Sequence, residues 1–195
     1  MTKERQWGSS AVYRNESYRI REKDWRCGAI VYQVLVDRYA CGTPTSQKAH
    51  EYSPPRRLRE WHETPQKGSL QSYRVGRQQQ ASVSLWSHEL DFWGGDLRGL
   101  QSQLDWIGGL DCDVLYLNPI FDALTNHKYD TRDYDTIAPE YGTMDDFRGL
   151  AEAVHSRNMH LVLDGVFNHV GRLHPWYQEA LADRNSPARG MFFMN

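Results

Sequence analysis

The sequence has few cysteines, no long apolar run and no excess of charge of either sign. Its 195 residues contain three cysteines, Cys27, Cys41 and Cys112, and no CxxC pair. We therefore expect neither a disulfide framework nor a zinc site, and a reducing cytoplasm is the predicted compartment. No apolar run approaches the roughly 18 residues of a membrane span. The polar N-terminus predicts no signal peptide.

The charges of the chain nearly cancel. Lys and Arg number 23, Asp and Glu number 25, and the net charge is −2. This balance argues against a nucleic-acid-binding protein that depends on bulk electrostatic attraction. The 7 Trp and 11 Tyr are many for this length. Aromatic side chains can cover sugar rings, but they serve equally well in a hydrophobic core, so composition does not choose between these roles.

Two segments show no clear periodicity. Residues 1–27 are polar and are expected to be a tail or the remnant of a linker. Residues 41–90 combine Pro, Gly and Ser with a run of Gln, and are expected to be a long loop. A loop of this length inside a compact domain usually has a function. Because it follows the first predicted strand, one interpretation is a lid near a binding site.

The remaining chain alternates short apolar segments with amphipathic helices. Strands are predicted at residues 30–36, 113–117 and 160–166. A first helix opens after residues 94–96, and a second opens at a capping box formed by Thr143 and Asp146. The helical residues predicted to face the core are Leu97, Leu100, Leu104, Ile107, Leu110, Phe147, Leu150, Ala151 and Val154. Pro175 predicts a last short helix through residue 182. Continuous apolar strands separated by helices predict parallel pairing, and therefore an α/β fold.

Polar side chains follow each predicted strand, at the strand ends where ligands bind in parallel α/β folds. Asp37 and Arg38 follow the first strand, residues 126–134 come after the second, and residues 164–169 end the third. Carboxylates and amides can bond sugar hydroxyls, and aromatic faces can cover a sugar ring. The ordinary alternative is that an Asp after a strand closes a turn or caps a helix. His169 and His174 would need a third ligand to hold a metal.

Five motifs occur in order along the chain, at residues 32–39, 93–100, 116–121, 127–134 and 164–169. Together they resemble the α-amylase family of glycoside hydrolases (family 13), most closely its maltodextrin glucosidase, neopullulanase and cyclomaltodextrinase group. The family fold is a (β/α)8 TIM barrel. The resemblance implies that residues 28–195 are the N-terminal part of this catalytic barrel. The strands and helices predicted above would be its first three β/α units.

The resemblance also implies roles for residues of the last two motifs. Asp164 resembles the aspartate that supports the site near the nucleophile, and His169 the histidine that bonds a sugar hydroxyl at the cleavage point. Tyr129 resembles the tyrosine that stacks on that sugar. Asn168 matches an asparagine that is structural or calcium-linked in some members. The expected substrate-binding residues are Tyr129, His169, Asp164, His127, Asp130 and Asn168. Of these, His127 and Asp130 lie beside Tyr129 in its loop.

The resemblance places the catalytic carboxylates of the family outside this chain. The family is retaining, which requires a nucleophile and an acid/base about 5 Å apart, and its members place these on strands four and five. The matching residues would lie beyond Asn195, the last residue of the sequence. A closed barrel also needs about 250 residues. We therefore expect a truncated barrel with no catalytic residue in this chain, inactive alone and able to self-associate through open sheet edges.

No cofactor and no metal are expected. Several relatives bind calcium near the residue that matches Asp96, but the loop at residues 39–45 lacks carboxylates. Calcium needs six or more oxygen ligands, which this loop does not offer.

The expected function is retaining hydrolysis of α-1,4-glucans (maltodextrins) in carbohydrate metabolism, without nucleic-acid or membrane partners. One alternative within the family is a glucanotransferase or an α-1,6-glucosidase. Another alternative is a catalytically inert half-barrel that binds an oligosaccharide or a complementary chain. A product with no function of its own is the third.

Overall fold

The structure, a computed structural model, describes residues 16–75 and 81–193. The chain divides into two units, residues 1–30 and 31–195. The strands are β1 (Val31–Val34), β2 (Arg57–Leu58), β3 (Leu70–Val75), β4 (Ala81–Trp86), β5 (Asp91–Phe92), β6 (Val114–Leu117), β7 (Phe121–Ala123), β8 (Thr131–Ile137) and β9 (His160–Leu163). The helices are α1 (Glu16–Glu22), α2 (Thr45–Lys48), α3 (Leu97–Ser102), α4 (Leu104–Gly109), α5 (Met144–His155) and α6 (Pro175–Ala182). Among these described residues, no helix is long and apolar enough to cross a membrane.

The first unit contains the whole segment, residues 1–27, expected to be a polar tail. Its described part begins with helix α1, and a turn follows in which the backbone N–H of Arg26 donates to the Asp24 carboxylate at 3.0 Å. The guanidinium of Arg26 bonds the same carboxylate and holds the pKa of Asp24 at about 2. Residues 1–15 of the expected tail lie outside the described residues.

The second unit is organised around a parallel sheet with strand order β1–β6–β9. Val31 pairs with Val114, and Leu117 pairs with Leu163, so the three strands end level with one another. The three predicted strands are confirmed, but the first and third are shorter than expected. The first stops before a 3-10 helix, Val36–Arg38, and the third stops three residues before Val166, whose φ is 47°.

The helices bury the predicted apolar face against this sheet. The buried core combines sheet residues with helix residues, namely Val34, Leu115, Leu117, Leu97, Leu100, Leu104, Ile107, Leu150 and Val154. The first predicted helix is two helices, α3 and α4, which meet at Gln103. Because α4 ends at Gly109, Leu110 is 45% exposed and is not part of the core face. The capping box at Thr143 and the last helix, Pro175–Ala182, are confirmed.

The segment at residues 41–90 differs from the expected long loop. It contains helix α2 and strand β2, which pairs in parallel with β5 just after the segment. Strands β3 and β4 form an antiparallel hairpin in which Tyr73 pairs with Val83. Val75, Val83 and Leu90 of this segment form a small buried cluster with Leu124. These apolar side chains are separated along the sequence and meet only in the folded chain, which is why no local period reveals them. The run of Gln residues at 78–80 in this segment lies outside the described residues.

Candidate functional site

The carboxyl ends of the three parallel strands meet at one edge of the sheet, and the candidate site lies along this edge. Asn118 follows β6 and its side-chain oxygen accepts from Gln33 of β1 at 2.9 Å. Asp164 follows β9, and its backbone N–H donates to the carbonyl of Leu117 at 3.0 Å. The loop after β6 returns to this edge with Tyr129. The level register of the strands therefore brings side chains from distant motifs to one rim.

The carboxylate of Asp164 accepts hydrogen bonds from two tyrosine hydroxyls and one backbone N–H at the rim. Its Oδ2 accepts from the hydroxyl of Tyr129 at 2.8 Å and from that of Tyr116 at 3.2 Å. Its Oδ1 accepts from the backbone N–H of Val166 at 3.2 Å. Partial burial and the neighbouring Asp164 charge raise the pKa of Tyr129 to about 12, so this phenol remains a hydrogen-bond donor at neutral pH.

His169 completes the group. Its Nε2 lies 2.9 Å from the backbone carbonyl of Tyr129. Because a carbonyl can only accept, Nε2 must carry the proton and donate, and Nδ1 of the neutral ring is then an acceptor. The imidazole is exposed, so Nδ1 can receive a hydroxyl hydrogen. The structure thus brings together three of the predicted residues, Tyr129, Asp164 and His169.

The other three predicted residues are placed differently. His127 accepts from the backbone N–H of Tyr129 at 3.1 Å through Nδ1, and its Nε2 faces a Glu89 oxygen at 3.3 Å. Asp130 closes the turn before it, because its carboxylate accepts from the backbone N–H groups of residues 124 and 125 at 3.1 and 3.2 Å. Asn168 is exposed, and within residues 16–75 and 81–193 its side chain makes no hydrogen bond. Substrate binding by these three residues remains a prediction.

A cleft of about 270 Å³ opens beside the rim. Four predicted residues line it, namely His127, Tyr129, Asp130 and His169. The other lining residues include Val83, Ser84 and Leu85 of the hairpin and Arg132, Arg172 and Leu173. Sequence reasoning placed Arg132 among the polar residues 126–134 but did not identify the other lining residues. For the hairpin residues, the available signal was the position of the 41–90 segment directly after the first predicted strand.

A wider concavity of about 530 Å³ lies elsewhere on the second unit. Aromatic side chains dominate its lining, and Tyr32 packs edge-on against Trp106 with ring centroids 5.9 Å apart. It contains none of the predicted site residues and no carboxylate among its lining residues. We therefore place the candidate site in the smaller cleft, where polar groups converge.

Asp37, at the end of the first strand, has a structural role of the kind that turns require. It is fully buried and accepts from the backbone N–H groups of Trp93 and Gly94, each at 3.1 Å. Burial raises its pKa to about 6. The turn that it holds must contain a glycine, because a Cβ on Gly95 would lie 2.0 Å from the carbonyl oxygen of Val36. Asp37 therefore fixes the start of α3 against the first strand.

Asp96, the residue that matches the calcium region of some relatives, is already saturated. Its carboxylate accepts from the backbone N–H groups of Thr43 and Gly99 at 2.8 and 2.7 Å. The Lys48 ammonium bonds both Asp96 and the carbonyl of Gly94 at 2.7 Å. A cation is thus supplied by the protein itself, and these residues do not fit a calcium ion. In the described part of the chain, no group of three or more His, Cys, Asp and Glu side chains could hold a metal ion.

Comparison with known proteins identifies the family. Residues 33–195 match the family described as "Alpha amylase, catalytic domain". The chain belongs to the α-amylase family. Over 150 residues it is 38% identical to an amylopullulanase from Thermoanaerobacterium saccharolyticum, which covers 75% of this chain and 11% of the relative. It is 46% identical over 91 residues to an intracellular maltogenic amylase from Bacillus subtilis, covering 47% of this chain and 16% of the relative.

Solved structures of the α-amylase family are also similar. Cyclic alpha-maltosyl-(1→6)-maltose hydrolase from Arthrobacter globiformis superposes with a TM-score of 0.64 at 31% identity, covering 85% of this chain and 31% of that one. Maltogenic amylase from S. marinus gives a TM-score of 0.61 at 28% identity, over 83% of this chain and 19% of that one. The chain therefore spans a small part of the relatives it matches. The family's catalytic domain is a TIM barrel, and the described α/β structure is part of such a domain.

The nucleophile and the acid/base are predicted to lie beyond Asn195. The family match extends to this residue, but Asn195 itself lies outside the residues that the structure describes. The matched segment is only 11% of the amylopullulanase and 16% of the maltogenic amylase. The position of the catalytic pair beyond Asn195, and with it the three-unit extent of the barrel, therefore stays a prediction.

Proposed function

We propose that this rim is part of the substrate site of a retaining glycoside hydrolase that acts on α-1,4-linked glucose oligomers. The observation that carries the proposal is that Tyr129, which lines the cleft with His169, is bonded by His169 at its carbonyl and by Asp164 at its hydroxyl, in a chain of the α-amylase family. The named relatives include a maltogenic amylase and an amylopullulanase. Maltodextrins are therefore the substrate class that we propose for the complete site.

Each of the three residues has a distinct role in this proposal. The ring of Tyr129 covers the apolar C–H face of a glucosyl unit, and the acceptor Nδ1 of His169 bonds a sugar hydroxyl. Asp164 places a negative charge near the anomeric carbon, where positive charge develops in the oxocarbenium-like transition state. Its two phenol donors hold the carboxylate in one orientation. The rim thus binds and orients the sugar at the cleaved bond.

We further propose that these 195 residues bind an α-glucan without cleaving it. Retaining hydrolysis needs a nucleophile and an acid/base about 5 Å apart. Of the two carboxylates among the predicted substrate-binding residues, Asp130 is engaged by backbone donors of its own loop and Asp164 by two phenols. The second candidate substrate is an α-1,6-linked glucan, because a probable oligo-1,6-glucosidase is also among the relatives, at 43% identity over 100 residues.

Titration calorimetry with maltotriose tests this proposal. The wild-type chain is expected to bind, and Tyr129→Ala is expected to weaken binding about tenfold through the lost stacking surface. His169→Ala should weaken binding less. Tyr177→Ala and His155→Ala, which change the same residue types on α6 and α5, serve as matched controls and should bind like the wild type. Equal effects of site and control substitutions would contradict the proposal.

A parallel assay for glucose and maltose release separates binding from hydrolysis. We expect no release by the 195-residue chain. Release that is abolished by Asp164→Asn would show that the chain is an active enzyme and would overturn the proposal of binding without cleavage. Absence of both binding and release would contradict the glucan site itself.

A further inference from the structure

Lys128 is an unusual residue at the rim because it is fully buried and has a positive φ. Its φ is 65°, a left-handed conformation that long side chains seldom adopt, and its exposed fraction is 0%. Both features oppose folding unless the surroundings stabilise them, since burial of an ammonium group is costly without a partner. Its immediate neighbours along the chain are His127 and Tyr129, which both line the cleft.

The ammonium of Lys128 is surrounded by a carboxylate and two aromatic rings. It donates to the carboxylate of Glu140, which is itself fully buried on the 3-10 helix Pro139–Tyr141. It also lies 5.0 Å from the ring centroids of both Phe92 and Tyr141, close enough for cation–π attraction. Burial by itself would raise the pKa of Glu140, but the charges of Lys128 and Arg56 outweigh burial and lower it. Burial lowers the pKa of the Lys128 ammonium, and the Glu140 charge opposes this effect. The contacts of the Glu140 carboxylate with two cations favour the ionised pair.

Arg56 contacts the same Glu140 carboxylate and also binds the backbone of the loop that precedes Lys128. Its Nη1 lies 3.3 Å from Glu140, and its Nε donates to the carbonyl of Leu124 at 3.0 Å. A further nitrogen donates to the carbonyl of Ala123. The carboxylate of Glu140 thus contacts two cations, Lys128 and Arg56. Arg56 in turn binds the backbone carbonyls of residues 123 and 124, which lie five and four residues before Lys128. The loop is fixed at both ends.

The backbone direction set at Lys128 determines where Tyr129 points. The N–H of Tyr129 donates to His127 at 3.1 Å, its carbonyl accepts from His169 at 2.9 Å, and its hydroxyl donates to Asp164 at 2.8 Å. Every polar group of Tyr129 is therefore engaged, and its ring face is the part left for a ligand. A change in backbone direction at residue 128 would break these three bonds together.

We propose that Lys128 is a positioning residue that, through Glu140, holds the ring of Tyr129 in the orientation that binds the sugar. This inference rests on the proposed function for its consequence, but the orientation of Tyr129 can be measured without any sugar. Lys128 touches no ligand itself. It acts by keeping the loop rigid, so that no binding free energy is lost in ordering Tyr129 when the glucan arrives.

Lys128→Met tests the proposal, and Lys48→Met is its matched control. Both substitutions remove a buried, paired ammonium, but the ammonium of Lys48, at the end of α2, bonds Asp96 and the carbonyls of Gly94 and Glu140, and it does not bond the Glu140 carboxylate. The first readout is the 13C resonance of the Tyr129 ring carbon that bears the hydroxyl, assigned with Tyr129→Phe. The second is the dissociation constant for maltotriose.

We expect Lys128→Met to move the Tyr129 resonance toward that of an exposed tyrosine and to weaken maltotriose binding about tenfold. Lys48→Met should lower the melting temperature while leaving both readouts unchanged. An unmoved resonance in folded Lys128→Met, or equal changes in Lys48→Met, would overturn the proposal. If Lys128→Met does not fold, Glu140→Gln, which removes the charge and keeps the shape, decides by the same readouts. A wild-type chain that does not bind maltotriose would contradict the proposed function, whereas the resonance would still decide the role of Lys128.

Discussion

The parallel sheet and the rim at its carboxyl edge are stabilised by different kinds of contact. Between the sheet and its helices the buried side chains are aliphatic, as at Leu115 and Leu150. At the rim the buried groups include the charged side chains of Asp37, Lys128 and Glu140. Apolar burial has no preferred direction, whereas hydrogen-bonded ions fix distances and angles. We infer that the sheet supplies most of the stability and that the ions of the rim supply a fixed geometry for ligand binding.

The largest effect is expected from breaking an ion pair at the rim. Glu140→Leu leaves the buried ammonium of Lys128 without its carboxylate and should lower the free energy of unfolding by about 3–5 kcal/mol. Adding Lys128→Met to this variant should restore part of the loss, because no unpaired ammonium then remains. Urea denaturation of both variants measures the difference. A double variant less stable than Glu140→Leu would show that the cost does not come from the unpaired charge.

A comparable but somewhat smaller loss is expected in the sheet. Leu115 lies in the central strand β6 with an exposed fraction of 0%, so Leu115→Ala should cost about 2–5 kcal/mol through lost burial and the cavity left behind. Unlike the rim variant, it should leave the Tyr129 ring resonance in place. Leu181→Ala on α6, where the side chain is 53% exposed, is the control and should change stability by less than about 0.5 kcal/mol.

The pH dependence of stability separates the two regions further. The pKa of Asp37 is raised from 3.8 to about 6, so the folded chain binds this proton more tightly than the unfolded chain does. Its contribution to stability is full below the unfolded pKa and is lost as pH rises through about 6. At about 1.4 kcal/mol per pKa unit, the loss is about 3 kcal/mol.

Asp37→Asn removes this titration and keeps an oxygen that can accept from Trp93 and Gly94. The free energy of unfolding should therefore fall by about 2 kcal/mol more in the wild type than in Asp37→Asn between roughly pH 4 and pH 7, because part of the loss occurs below pH 4. Chemical denaturation at both pH values measures the two slopes. Parallel slopes in the two proteins would contradict the burial of a titrating Asp37.

The smallest effect is expected at the cap of α5, which belongs to the sheet region but depends on one local bond. The hydroxyl of Thr143 accepts from the N–H of Asp146 at 3.2 Å. Thr143→Ala should cost about 1 kcal/mol, and Thr143→Ser, which keeps the hydroxyl, should cost less. Thermal unfolding of the three proteins ranks them. Equal stability of the alanine and serine variants would show that the cap contributes nothing.

The sequence predicts the sheet region better than the rim. Local period and local caps specify the sheet and its helices, which is why β6 and the cap at Thr143 were found from the residues alone. The hairpin of β3 and β4 was missed because Val83 finds its apolar partner, Leu124, only in the folded chain. The place of Lys128 was missed for a different reason. A buried ammonium and a positive φ both run against what residue type predicts, and such exceptions concentrate near binding sites.

The convergence of Tyr129, Asp164 and His169 lies between these cases. Strand-end reasoning predicted a polar rim, and the family resemblance supplied the three residues. Neither could show that the hydroxyl, carbonyl and N–H of Tyr129 are all engaged, because the partners are up to 40 residues away along the chain.

A crystal structure of the chain with bound maltotriose would test the proposed glucan site most directly. We expect one glucosyl ring against the face of Tyr129, a sugar hydroxyl within hydrogen-bond distance of His169, and Asp164 and its phenol partners unmoved. A sugar bound elsewhere, or one that displaces Tyr129 from Asp164 on binding, would contradict a glucan site held rigid before its ligand arrives.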